Sequence, residues 1–296
     1  MTVVLVPDEL GRRVLGRDPR VRALAWDAAG AEAAAVLVVD EAPVDDALAV
    51  AARLPGLRLI QTLSAGTEHW TGRVPQGVTL SNARGAHGGA TAEWAAAALL
   101  AVVRRLPGAF AAQAEHRWSP EEAGTLMGRR VLIVGAGDLA TGLRARLLPF
   151  GAQVTLVCRS AREGVRAMSE LGALLPAHDV TVLMVPLTDA TRGLVDAAFL
   201  ARMPDGSLLV NAARGAVVDT GALLAELRAR RLQAALDVTD PEPLPAGHPL
   251  WDAPGLLITP HVGGFVEGRA ERAWAVAATQ IGQFLDGREP DNAVRE

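Results

Sequence analysis

The run Val131-Leu132-Ile133-Val134-Gly135-Ala136-Gly137-Asp138-Leu139-Ala140 reads as an apolar strand, a Gly-x-Gly-x-x-Ala turn and the first turn of a helix. Gly135 permits the tight turn, Gly137 lets the backbone approach a pyrophosphate, and Ala140 is small enough for the helix to lie close on its sheet. The phosphates would then meet the helix N-terminus, where N–H groups and the helix dipole favour an anion. Alone the motif is weak, because a structural turn uses the same glycines. Its surroundings make it informative.

Downstream, strands are expected at Arg130–Val134, Gln153–Val157, Val180–Val185, Ser207–Asn211, Ala234–Val238 and Leu256–Thr259. Six strands with helices between them complete a dinucleotide-binding sheet. Upstream, β-branched runs at Val3–Val6, Ala35–Val39, Leu57–Thr62 and Val78–Ser81 predict a smaller α/β unit. It carries a helix at Val44–Arg53 and turns at Pro55-Gly56 and Pro75-Gln76-Gly77. A long Ala-rich helix from Ala90 to Arg105 follows, stopped by Pro107-Gly108. The last helix, Gly268 to Asp286, has apolar positions at Ala273, Val276, Ala277, Ile281 and Leu285, and its natural place is back against the first unit. The expected fold is α/β with two Rossmann-like domains. A doubly wound parallel-sheet cofactor domain covers 88–264, and a smaller, discontinuous, flavodoxin-like substrate domain covers 1–87 and returns over 265–296.

Composition narrows the function. The chain has 296 residues, is 50% hydrophobic and 21% charged, and carries a net charge of −4. That length suits two domains, and that balance suits a globular enzyme and argues against nucleic acid as a partner. The apolar stretch from Gly89 to Val103 contains Glu93 and runs into Arg104 and Arg105, so it reads as a buried helix and no membrane is expected. Met1 to Pro7 lacks the features of a signal peptide, which leads to the expectation of a cytoplasmic protein. One cysteine, Cys158, leaves no internal disulfide and no multi-cysteine zinc site, and no metal is expected. All 29 basic residues are arginine and there is no tyrosine. A Schiff-base lysine, a P-loop lysine and a Tyr/Lys proton relay are therefore chemically impossible.

The cofactor is read from the end of the second strand of the sheet. An NAD enzyme usually places an acid there for the ribose 2′-hydroxyl. Here the run is Val157-Cys158-Arg159-Ser160-Ala161-Arg162, with no carboxylate until Glu163. Arg159 would meet a 2′-phosphate as a guanidinium–phosphate pair, with Ser160 and Arg162 adding donors, so NADP is preferred over NAD. The alternative is that Arg159 stacks on adenine and the backbone holds either cofactor.

Three later segments bring the chemistry: Asn211-Ala212-Ala213-Arg214-Gly215, Leu236-Asp237-Val238-Thr239-Asp240-Pro241-Glu242-Pro243 and Thr259-Pro260-His261-Val262-Gly263-Gly264. Each is expected at the C-terminal end of a strand, the edge where doubly wound sheets bind ligands. Together with Leu63-Ser64-Ala65-Gly66-Thr67-Glu68 and Ala90-Thr91-Ala92-Glu93-Trp94, they resemble the D-isomer-specific 2-hydroxyacid dehydrogenase family. That family includes glyoxylate/hydroxypyruvate reductases and D-3-phosphoglycerate dehydrogenases. The resemblance implies that Arg214 binds the substrate carboxylate and keto oxygen, that His261 is the general acid/base, and that Glu242 is hydrogen-bonded to it. It implies that Ser64, Ala65 and Gly66 bind the substrate carboxylate through backbone amides, and that Asp237 faces the nicotinamide carboxamide. The residues expected against the cofactor are Gly135, Gly137, Asp138, Leu139, Arg159, Ser160, Arg162, Pro186, Ala212, Asp237 and His261.

The chemistry is consistent with those roles. A planar guanidinium can fix a carboxylate bidentately and polarise the adjacent carbonyl. Reduction needs a proton on oxygen as hydride reaches carbon, and imidazole titrates in the right range. His69, His116, His178 and His248 read as surface or loop residues, while His87 lies near the expected domain crossing and is a candidate to line the cleft. The expected activity is hydride transfer between NAD(P)H and a small 2-keto or D-2-hydroxy acid, of the glyoxylate/hydroxypyruvate type, by a homodimer. The chain is short for the family and shows no appended regulatory domain, which weighs against a feedback-controlled D-3-phosphoglycerate dehydrogenase. The rival reading is a non-catalytic protein that senses the nucleotide on the same fold.

Overall fold

The computed structural model describes residues 1–40 and 42–294, so the expected return segment over 265–296 ends two residues beyond the described ones. The chain divides into two units, Met1–His87 with Glu267–Glu296, and Gly88–Val266.

The first unit begins with β1 (Thr2–Val6), α1 (Glu9–Leu15), β2 (Val21–Ala25), β3 (Ala34–Val39), α2 (Val44–Ala51), β4 (Leu59–Thr62) and β5 (Thr79–Ser81). The strands form a parallel sheet in the order β2-β1-β3-β4-β5, the flavodoxin-like arrangement. Their alternate residues feed two apolar clusters. Val4, Val6, Val36, Val38 and Leu59 enter one, and Leu5, Leu37, Val39, Ile60 and Leu80 enter the other. Strands buried on both faces read as continuous apolar runs, which is why β1 and β3 were legible. β2 was not, because Val-Arg-Ala-Leu-Ala at the sheet edge is mostly half-exposed and shows no apolar run.

The second unit opens with α3 (Gly88–Val103) and α4 (Leu106–Ala114). Pro107 does not stop the long helix, as the sequence suggested. The break falls at Arg105, which takes a left-handed φ of 52°, and Pro107 sits in the first turn of α4, where its missing N–H costs nothing. Then come β6 (Arg130–Val134), α5 (Asp138–Leu147), β7 (Gln153–Cys158), β8 (Val165–Ala167), α6 (Leu171–Leu174), β9 (Val180–Leu183), α7 (Ala197–Arg202), β10 (Leu208–Asn211), α8 (Thr220–Arg228), β11 (Gln233–Leu236) and β12 (Leu256–Ile258). The parallel sheet runs β12-β11-β10-β9-β6-β7-β8, seven strands against six expected. The extra strand, β8, is a three-residue edge element paired with β7. The order reverses between β6 and β9, and ligands bind such sheets at that switch point.

Small residues bring α3 and α5 together: the β-carbon position of Gly142 lies 3.3 Å from Ala92 Cβ, and Ala92 and Ala140 are fully buried. Among the described residues no single helix is long and apolar enough to cross a membrane. The chain then returns to the first unit through α9 (Arg269–Leu285), whose Trp274 is fully buried against Gly11 of α1. Asp8 joins the two helices. Its carboxylate accepts from Gly11 N at 2.7 Å to cap α1 and from Trp274 Nε1 at 3.2 Å.

Candidate active site

In the second unit the glycine turn follows β6. Gly135 has a φ of 132°, and a β-carbon there would collide with the Met184 carbonyl, so only glycine fits. Gly137 caps α5, and its β-carbon position faces open space. That opening at a helix N-terminus fits a pyrophosphate. Asp138 is the first residue of α5, and its carboxylate packs on Gly88 at the start of α3, while Leu139 is half-buried. After β7, Arg162 donates through Nη2 to Ala136 O at 2.8 Å, so it braces the turn itself. Arg159 and Ser160 are exposed beside it. Pro186 is exposed beyond β9 and its carbonyl accepts from Thr191 Oγ1 at 2.6 Å, whereas Ala212 is buried and its N–H donates to Leu183 O.

The three chemical segments leave neighbouring strands. Asn211 ends β10 and is buried. Its Oδ1 accepts from Ala213 N at 3.0 Å, and its Nδ2 donates to Arg214 O at 3.0 Å. This turn presents Arg214, half-buried, with its Nη1 on Ala213 O at 2.8 Å. The next residue, Gly215, lies so close to the Thr239 carbonyl that any side chain would displace one loop from the other. The arginine segment and the Thr239–Glu242 segment are thereby held together.

Asp237 follows β11. Its carboxylate, almost fully buried, accepts from Thr259 Oγ1 at 2.6 Å, Val262 N at 2.9 Å and Gly263 N at 2.8 Å. Its carbonyl accepts from His261 N at 2.7 Å. One residue thus grips the segment on both sides of His261, which adopts a left-handed φ of 54°. Glu242 Oε1 stands 2.6 Å from His261 Nδ1. The ring therefore donates from Nδ1 to the carboxylate, and Nε2, with no hydrogen-bond partner among the described residues, is the nitrogen left to exchange a proton with a ligand.

In the first unit, Ser64, Ala65 and Gly66 follow β4. The Ser64 carbonyl accepts from Thr62 Oγ1 at 2.8 Å and Ala83 N at 2.9 Å, and the Ala65 carbonyl from Asn82 Nδ2 at 3.1 Å. The N–H groups of Ser64, Ala65 and Gly66 have no acceptor among the described residues. Three adjacent free donors suit a carboxylate. His87 belongs to this unit, with its ring under the loop: Nε2 lies 3.4 Å from Leu63 O. Burial, ahead of the nearby Arg269 and Arg272 charges, depresses its pKa.

Sequence reasoning passed over Asn211, Asn82 and Gly215. The available signals were a strand-end Asn, the usual residue for bonding its own backbone a few positions on, and a Gly directly behind the arginine.

A model of the D-isomer specific 2-hydroxyacid dehydrogenase NAD binding domain matches residues 96–263. D-3-phosphoglycerate dehydrogenase of Mycobacterium tuberculosis is 32% identical over 99% of this chain and 56% of its own length. The chain thus spans about half the length of that relative. A glyoxylate reductase of Aeropyrum pernix is 30% identical over 93% of this chain and 86% of its own. A D-isomer specific 2-hydroxyacid dehydrogenase of Xanthobacter autotrophicus Py2, solved with NADPH and MES, is similar in structure with a TM-score of 0.84. It is 30% identical, with 99% of this chain and 98% of that one covered.

Proposed function

Because the chain belongs to the D-isomer-specific 2-hydroxyacid dehydrogenase family, we propose that it transfers a hydride between a nicotinamide cofactor and C2 of a small 2-keto or D-2-hydroxy acid. Glyoxylate or hydroxypyruvate is the proposed substrate to be reduced, a reading supported by the relative named for glyoxylate. The observation that carries the proposal is the Glu242–His261 pair with Nε2 left open, on a loop held through Gly215 to the segment of Arg214.

Arg214 is assigned to the substrate carboxylate and keto oxygen, His261 to the proton that the oxygen gains in reduction and loses in oxidation, and Glu242 to holding the ring. Ser64, Ala65 and Gly66 are assigned to the carboxylate through their N–H groups. When bound, the cofactor supplies the hydride. Gly135, Gly137, Asp138 and Leu139 would hold its pyrophosphate at the start of α5, and Pro186, Ala212 and Asp237 would border the nicotinamide. NADP is proposed over NAD because Arg159 and Ser160 are exposed just beyond β7, the strand end that usually carries the ribose-binding acid, and the run from Cys158 to Arg162 holds no carboxylate. The structure determined with NADPH is in keeping with this.

The partner is proposed to be a second copy. Apart from Ala112, every residue of the apolar helix α4 is exposed, and Phe110 and Trp118 are 63% and 96% exposed. A nine-residue helix with so little buried is marginal in water until something covers it. Light scattering at a dimer mass would agree, and a monomer mass would not. A nicotinamide-dependent reductase with an unpaired Cys158 suits a reducing compartment, and the cytoplasm is the location proposed.

The mechanism is tested by His261→Gln. Loss of at least a hundredfold in the reduction rate with NADPH affinity kept within about twofold is expected. Unchanged turnover would remove His261 from the chemistry.

A further inference from the structure

We propose that Asn82 and His87 are positioning residues of the carboxylate-binding loop: they hold the carbonyls of Ala65 and Leu63 inward so that the N–H groups of Gly66 and Ser64 face the substrate. The inference rests on the assignment of Ser64, Ala65 and Gly66 made above. It follows from the planarity of the peptide unit. In a trans peptide the carbonyl of one residue and the N–H of the next point in opposite directions, so fixing the first fixes the second.

Each of the three peptide units has its own pin. His87 Nε2 on Leu63 O sets the N–H of Ser64. Thr62 Oγ1 and Ala83 N on Ser64 O set the N–H of Ala65. Asn82 Nδ2 on Ala65 O sets the N–H of Gly66. The last pin matters most, because glycine offers little steric resistance to rotation of the Ala65–Gly66 peptide. Asn82 is itself held firmly. Its Oδ1 accepts from Arg84 N at 3.0 Å, and its carbonyl accepts from Asn292 Nδ2 at 3.0 Å. Asn292 is buried, and its N–H donates to Gln280 Oε1 of α9 at 2.8 Å. The returning helix thus backs the loop through two asparagines. His87 Nε2 is at 3.4 Å, a long and therefore weaker contact, so its share is the smaller.

Neither side chain is expected to touch substrate, so the signature is a KM effect with kcat preserved. The test uses glyoxylate as substrate and oxalate as a carboxylate inhibitor that cannot accept a hydride. In Asn82→Ala, KM for glyoxylate and Ki for oxalate are expected to rise together by about three- to tenfold, the worth of one hydrogen bond. Turnover stays within about twofold and NADPH affinity is unchanged. His87→Leu gives a smaller rise in the same two constants, and His87→Gln, which restores a donor near the Nε2 position, reverses it. Unchanged KM and Ki in folded Asn82→Ala and His87→Leu would overturn the positioning role while leaving the loop assignment intact. A parallel fall of kcat, NADPH affinity and melting temperature would mark a merely structural role and overturn it too. Failure of the wild-type protein both to reduce a 2-keto acid and to be inhibited by oxalate would overturn the loop assignment and this inference with it.

Discussion

At the scale of single residues the chain uses one device repeatedly: a polar side chain at or just after a strand end folds back to fix the loop that follows. Asn211 does so for Arg214, Asp237 for His261, and Asn82, just beyond β5, for Ala65 on the loop after β4. The sequence made the presented residues legible, because arginine, glutamate and histidine in that order behind a glycine turn suggest one chemistry. It hid the holders, since a strand-end asparagine looks like any other start of a polar loop. His87 is a middle case. Its place near the domain crossing suggested a cleft residue, and the structure puts its ring beneath the Leu63 carbonyl. Because burial lowers its pKa below the ordinary value of about 6.5, the folded protein prefers the neutral ring. The stability this brings is complete above that value and is lost as pH falls from about 6.5 through the lowered pKa. Melting temperature measured against pH should therefore drop more steeply over this acid range in the wild type than in His87→Leu. Equal slopes would show that His87 is not the group responsible.

At the scale of elements, legibility followed burial. Strands covered on both faces, such as Val131–Val134 and Leu37–Val39, announce themselves as apolar runs. β2 and β8 are edge strands with mixed exposure, formed because a neighbouring ladder offers hydrogen bonds, and no pattern within them marks them out. Pro107 starts a helix instead of stopping one, since proline is acceptable in either place and only the left-handed Arg105 decides between them. The glycine turn has a steric basis that can be tested. Gly135→Ala puts a β-carbon against the Met184 carbonyl at a φ that alanine avoids. A destabilisation of at least ~2 kcal/mol is expected, with NADPH affinity reduced further. A chemical-denaturation midpoint equal to that of the wild type would show that the turn tolerates a side chain.

At the scale of the whole molecule, two parallel sheets with different strand orders follow from ordinary βαβ winding, and both orders end their strands in loops rich in glycine and polar residues. The proposed reaction class rests on family membership, and the relatives are named for different acids, so the substrate is a matter for experiment. The most direct test of the central claim is a screen of glyoxylate, hydroxypyruvate, pyruvate and branched 2-keto acids, following oxidation of NADPH and of NADH. The account predicts turnover with NADPH on glyoxylate or hydroxypyruvate, and a kcat/KM with NADPH above that with NADH. Protein that binds NADPH and oxidises it with none of these acids would contradict it.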